Sequence, residues 1–354
     1  MSRAQRKIDH LRGAMNSGLS EHSGLEDIRF VHQSVSEVNT GDISLEAKVG
    51  ELVFSSPVFI NAMTGGGGDA TEKINAALAE AAAELNIPVA VGSQMSAIKD
   101  PAERRSYEVV RKSNPNGLVF ANVGSEASSA QAMECIDMLQ ADAIQIHLNV
   151  IQELVMPEGD RDFTGTLERI RLISEACSIP VIVKEVGFGM SRESAGLLYD
   201  AGAAVIDAGG FGGTNFSRIE NERRKKQMTF FNDWGIPTAC SVAEVASVDT
   251  DKPVFASGGI RSAMDIAKCL ALGASAAGMA GQMLKWVEQG GTACVVENIR
   301  HVEEELKWIM TALGIKDVQS FLRVPVVISG HTYHWLAERG IKTEVFSRRS
   351  LLDG

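Results

Sequence analysis

An apolar run from Ala143 to Leu148 carries polar side chains at Gln145 and His147, and Asn149 continues the alternation. In an extended strand, alternate positions share one face. Polar groups on a buried face cost roughly 1–3 kcal/mol each when unpaired, so something must meet them. A half-exposed edge strand is the plainer alternative. The residues that follow favour a site. Gln152, Glu153, Glu158, Asp160 and Asp162 form a polar, turn-rich loop suited to an acyl or phosphoryl ligand and a metal.

Other apolar runs also end in chemistry. Lys184 follows Pro180-Val181-Ile182-Val183, and a buried ammonium needs a partner. It can face the negatively charged edge of a flat, reduced heterocycle such as a flavin, or pair with Glu185 or Asp207. Met63 and Thr64 offer backbone to a ring edge, Ser93 and Asn122 offer side-chain hydrogen bonds, and Thr214 offers a hydroxyl. Gly258, Gly259 and Gly281, with Arg261 beside them, suit a phosphate held by backbone N–H groups. The same glycines also suit simple tight turns.

These residues need a scaffold that brings many strand ends together. Eight short apolar strands recur from Pro57 to Ala277, most followed by an amphipathic helix. Such alternation predicts a parallel sheet. Eight units predict a closed (β/α)8 barrel, an α/β TIM barrel, with its chemistry at the C-terminal mouth. An open doubly wound sheet would concentrate its chemistry in one crevice, whereas here every strand end is dressed. The chain reads as a single domain: an N-terminal arm and hairpin over 1–56, the barrel over 57–290, and a C-terminal helical tail over 291–354. Ser44 to Val49 and Leu52 to Phe54 flank Gly50-Glu51 as the hairpin.

The 354 residues are 45% hydrophobic and 22% charged, an ordinary globular balance. The five cysteines are scattered and form no C-x-x-C pair, which suits a reducing compartment. No apolar run reaches membrane-spanning length and the N-terminus has no apolar signal segment, so the expectation is a cytoplasmic protein with no membrane partner. A net charge of −11 argues against nucleic acid as partner. An anionic ligand then needs a local cationic cluster, a helix N-terminus or a divalent ion. Arg6, Lys7 and His10 are one such cluster, unless they are only a solvated basic end.

In order and spacing, several motifs together resemble the type 2 isopentenyl diphosphate isomerases. They are Arg6-Lys7-x-x-His10, Met63-Thr64-Gly65-Gly66, Gly92-Ser93-Gln94, Gln145-x-His147-x-Asn149-x-x-Gln152-Glu153, Met156-Pro157-Glu158-Gly159-Asp160-Arg161, Lys184-Glu185-Val186-Gly187, Gly212-Gly213-Thr214 and Ser257-Gly258-Gly259-Ile260-Arg261. Each is weak alone, and the resemblance covers nearly the whole chain. It implies interconversion of isopentenyl and dimethylallyl diphosphate, with FMN at the barrel mouth and NADPH or NADH as its reductant. It implies FMN contacts at Ala62, Met63, Thr64, Ser93, Asn122, Lys184, Thr214, Gly258, Gly259, Ala280 and Gly281, and Mg2+ at Glu153. Arg6, Lys7 and His10 would bind the diphosphate. Gln152 would orient the alkene beside a reduced flavin acting as acid and base, and Lys184 would stabilise the flavin anion. His147 and Asn149 would position substrate or Gln152, although His147 can also be read as an internally bonded structural histidine. The family suggests a homo-oligomer, a tetramer or octamer.

Two rivals remain. An FMN barrel that oxidises 2-hydroxy acids would carry a histidine and an arginine after a late strand. Strand six here ends Asp207-Ala208-Gly209-Gly210-Phe211, without a histidine. A non-catalytic flavin-binding protein would leave Gln152, Glu153 and the basic arm idle.

Overall fold

The computed structural model describes residues 22–64, 66 and 68–351. Arg6, Lys7 and His10 lie outside the described residues. Twelve strands are present among the described residues: β1 (Ile28–Phe30), β2 (Ala47–Val49), β3 (Leu52–Phe54), β4 (Val58–Ile60), β5 (Val89–Ala90), β6 (Val119–Gly124), β7 (Ala143–Leu148), β8 (Val181–Glu185), β9 (Val205–Asp207), β10 (Val254–Ser257), β11 (Ala276–Met279) and β12 (Val326–Ile328). Strands β4 to β11 pair in parallel, each with the next in the chain, and β11 closes back on β4. This is the expected eightfold barrel.

The local sequence explains the alternation. The barrel strands are short and almost wholly buried, as a sheet covered on both faces requires. The helices between them start at clear signals. Ser128 and Ser262 each close a capping box, with Gln131 and Asp265 as the reciprocal partners.

Inside the barrel, Phe59 packs against Phe255 with ring centroids 4.6 Å apart, and Phe120 lies 6.4 Å from Phe59. Phe54, from the β2–β3 hairpin, joins them at 5.8 Å from Phe255. The expected hairpin forms, with Val49 opposite Leu52. It plugs the end of the barrel where the strands begin, which leaves the other end for chemistry.

The tail is not wholly helical. Strand β12 pairs antiparallel with β1, with Ile28 opposite Ile328. The 33-residue helix Gly281–Leu313 is interrupted at Gly290 and Gly291, where the backbone is non-helical.

Candidate active site

A cavity of about 410 Å3 opens where the barrel strands end, a size usual for a cofactor or small ligand. Of the expected site residues within the described chain, Ala62, Met63, Thr64, Ser93, Asn122, His147, Asn149, Gln152, Glu153, Lys184, Thr214, Gly258, Gly259, Arg261, Ala280 and Gly281 line it, whereas Gln145, Glu158, Asp160 and Asp162 do not. Lys99, Glu126, Glu185, Phe216 and Lys285 also line it, and sequence reading gave none of them a role there. Lys99 and Lys285 belong to helices, away from the strand ends where the sequence signal is strongest.

Lys184 sits at the end of β8 and is only 6% exposed. Its Nζ donates to the Glu185 carbonyl oxygen at 2.7 Å. It makes no ion pair with Glu185 or Asp207, so neither carboxylate pairing holds. Among the described residues no carboxylate pairs with it, and such a buried positive charge favours a negative ligand beside it. The next side chain turns away into its own backbone. Glu185 Oε2 accepts from the N–H groups of Val186, Gly187 and Phe188 at 2.7, 2.9 and 2.6 Å. Burial pushes the Glu185 carboxyl up to about 7, against those bonds and the charge of Lys184.

The opposite side of the mouth suits an anion. Helix Gly281–Leu313 begins at Ala280 without a side-chain cap, so its first N–H groups are available to a ligand. A Cβ at Gly281 would meet nothing within 4 Å. Gly258 and Gly259 differ. Both have positive φ, and a Cβ on either would stand 2.0 Å from the Gly210 oxygen or 2.2 Å from the Gly212 oxygen. Their lack of side chains serves the close approach of two loops, while Gly281 alone leaves open space. Arg261 Nη2 donates to the Gly212 oxygen at 3.2 Å, tying the same loops together.

Gln152 and Glu153 lie on a short helix, Val150–Val155, rather than in a turn-rich loop. Asn149 stands at its N-cap with φ −140°, which ends β7 and starts the helix. Its carboxamide donates to Gln152 Oε1 at 3.3 Å and to Glu153 Oε1 at 3.0 Å. The polar composition that suggested a loop is used by these side chains to bond one another. The Asp160 N–H donates to Glu153 Oε2 at 2.8 Å. Burial nonetheless raises the Glu153 carboxyl above its ordinary range, with Asp160 and Glu126 adding repulsion. Among the described residues no group of three or more His, Cys, Asp or Glu forms a ready metal cage.

The chain is 57% identical over 349 residues to an isopentenyl-diphosphate delta-isomerase of Bacillus licheniformis, covering 99% of this chain and all of that one. It is 55% identical over 350 residues to the enzyme of the same description from Bacillus pumilus, covering 99% of each. The chain belongs to the type 2 isopentenyl-diphosphate delta-isomerases. A broader family model described as FMN-dependent dehydrogenase matches residues 102–326. Among solved structures, a mandelate oxidase variant with a monooxide FMN adduct superposes with a TM-score of 0.66 at 18% identity, over 89% of this chain and 95% of that one. At that identity the likeness is one of fold.

Proposed function

We propose that this chain interconverts isopentenyl and dimethylallyl diphosphate with FMN at the barrel mouth, Mg2+ at Glu153, and NADPH or NADH as the flavin's reductant. The observation that carries this reading is the cavity itself. It gathers a buried ammonium bonded to a backbone oxygen, an uncapped helix N-terminus and the Gln152–Glu153 pair around one space.

The residues fit FMN. Gly281 leaves room for a phosphate at the helix N-terminus, and Lys184 places positive charge where an anionic ring edge would lie. When bound and reduced, FMN supplies an electron-rich surface able to exchange protons with the alkene. Magnesium takes one or two carboxylates plus substrate phosphates and waters, so Glu153 alone suffices on the protein side.

The chain's own residues have definite work in a 1,3-proton shift. One proton is added at one carbon and another removed two carbons away, so nothing is oxidised overall. Met63, Met95, Met156, Phe216, Ile260 and Leu284 line the cavity and keep water from a cationic alkene. Gln152, held by Asn149, orients the double bond. His147 and Asn149 position substrate or Gln152, and Arg6, Lys7 and His10 bind the diphosphate. Lys184 stabilises negative charge on the ring. No helix among the described residues is long and apolar enough to cross a membrane. We assign the enzyme to the cytoplasm as a homo-oligomer, a tetramer or octamer, acting on no nucleic acid.

The test uses purified protein with FMN, Mg2+ and reductant. Isopentenyl diphosphate in heavy water is expected to acquire deuterium as it converts, and Gln152→Ala is expected to abolish turnover with flavin still bound. Full activity in that variant removes the role of Gln152. A colourless protein that does not take up FMN overturns the reading.

A further inference from the structure

A row of hydrogen-bonded side chains crosses the barrel beneath the cavity, running from Asp207 through Asn61, Gln145 and Asn122 to His147. Gln145 and Asp207 are wholly buried and do not line the cavity, whereas Asn61, Asn122 and His147 do. The order of donors and acceptors along this row is forced.

The Ala62 N–H can only donate, and it donates to Asn61 Oδ1 at 2.8 Å. This fixes which end of the Asn61 amide is oxygen. Its Nδ2 then donates to Asp207 Oδ2 at 2.7 Å. Asp207 is an acceptor throughout, since Ser257 Oγ and the Gly209 N–H also donate to it, at 2.5 and 3.2 Å. Asn61 Oδ1 accepts a second bond, from Gln145 Nε2 at 3.1 Å. Gln145 must therefore present Oε1 at its other end, where Asn122 Nδ2 donates at 3.2 Å. Asn122 must in turn present Oδ1 to His147, whose Nδ1 lies 2.8 Å away. A carbonyl oxygen only accepts, so Nδ1 carries the hydrogen.

We infer that Gln145 is a positioning residue that transmits the fixed polarity of Asn61 and Asp207 to His147, holding the neutral ring as its Nδ1–H tautomer with the lone pair on Nε2. The identity of a histidine's protonated nitrogen is commonly set by the hydrogen bond at the other. Here it is set four side chains away, by one backbone N–H and one buried carboxylate. The consequence is chemical. His147 serves the cavity as a hydrogen-bond acceptor, fitted to an N–H or O–H donor rather than to a phosphate oxygen. The tautomer follows from the hydrogen bonds alone, while its effect on turnover rests on the proposed function.

The experiment is solid-state NMR of the FMN-loaded full chain labelled with [15N]histidine, above neutral pH. The His147 signals are assigned by their loss in His147→Gln. The wild-type protein is expected to show protonated Nδ1 and unprotonated Nε2. Gln145→Met keeps length and volume but breaks the row, and is expected to give a mixture of tautomers. In that variant kcat for isomerisation should fall about tenfold, with KM and flavin content little changed. An Nε2–H tautomer in the wild type overturns the proposal even where Gln145→Met fails to fold. An unchanged tautomer in a folded Gln145→Met overturns it too, whatever happens to kcat. A wild-type chain that shows the expected tautomers yet isomerises nothing leaves the row standing and removes the functional reading instead.

Discussion

The Asn149 carboxamide donates to Glu153 Oε1 at 3.0 Å, one helical turn after Asn149 ends its strand. This bond opposes the burial that raises the Glu153 carboxyl, and so favours the ionised form that a divalent cation needs. Asn149→Ala is expected to raise the Mg2+ concentration for half-maximal activity about tenfold, the scale seen when a partner of a metal ligand is removed. The defect should shrink as pH rises, because higher pH restores the ionised carboxylate. A magnesium titration at several pH values measures this, and an unchanged half-saturation point counts against the role of Asn149.

Lys184 gives a second prediction, read through the flavin. A buried ammonium stabilises the reduced, anionic ring more than the oxidised one. Lys184→Met is therefore expected to lower the flavin reduction potential. A shift of about 30–60 mV corresponds to about 1.4–2.8 kcal/mol for a two-electron couple. Spectroelectrochemical titration of the FMN-loaded protein decides the matter. A potential that does not move places the ammonium away from the reducible ring.

Glu185 gives a prediction for stability. Its folded-state carboxyl titrates near 7, above the ordinary value of 4.5. Below the ordinary value both folded and unfolded chains hold the proton, and the fold is not disfavoured. As pH rises through the window from 4.5 to about 7, the unfolded chain gives up the proton first, so stability is lost. Glu185→Gln does not titrate there. The wild-type protein should thus lose stability relative to Glu185→Gln as pH rises, by roughly 1–3 kcal/mol. Thermal unfolding of both flavin-free proteins across that window tests it, and parallel curves would argue against a folded-state Glu185 that stays neutral between 4.5 and about 7.

Much of this site was legible before any coordinates. The barrel follows from period and punctuation, and the polar residues at the ends of β7 and β8 stand out against apolar runs. What escaped reading has physical reasons. β1 and β12 are three residues each and lie about three hundred residues apart in the chain, so no local pattern announces their pairing. The helix carrying Gln152 and Glu153 reads as a loop because its polar side chains both accept from the Asn149 carboxamide, a detail invisible in composition. Asn61 passed unnoticed between Ile60 and Ala62, since its partners Asp207 and Gln145 become neighbours only when the barrel closes. Lys184 stands out in the sequence against its apolar run, yet only the structure shows that its partner is a backbone oxygen and not a carboxylate.

The glycines of the mouth separate into two kinds, and two substitutions should move two measurements in opposite ways. At Gly258 the backbone has φ +102°, and a Cβ would stand 2.0 Å from the Gly210 oxygen. A clash with backbone has no flexible side chain to absorb it. Gly258→Ala is expected to cost about 2–4 kcal/mol of stability in the flavin-free protein. Gly281 has no positive φ and open space where its Cβ would go, at the first residue of a helix. Alanine there should leave flavin-free stability unchanged or raise it by about 0.5–1 kcal/mol. The added methyl enters the cavity beside the uncapped N–H groups, so FMN affinity should fall about tenfold or more. Thermal unfolding and FMN dissociation constants, measured on both variants, test the division. If Gly281→Ala binds FMN as tightly as the wild type, the phosphate lies elsewhere and the helix N-terminus loses its assigned ligand.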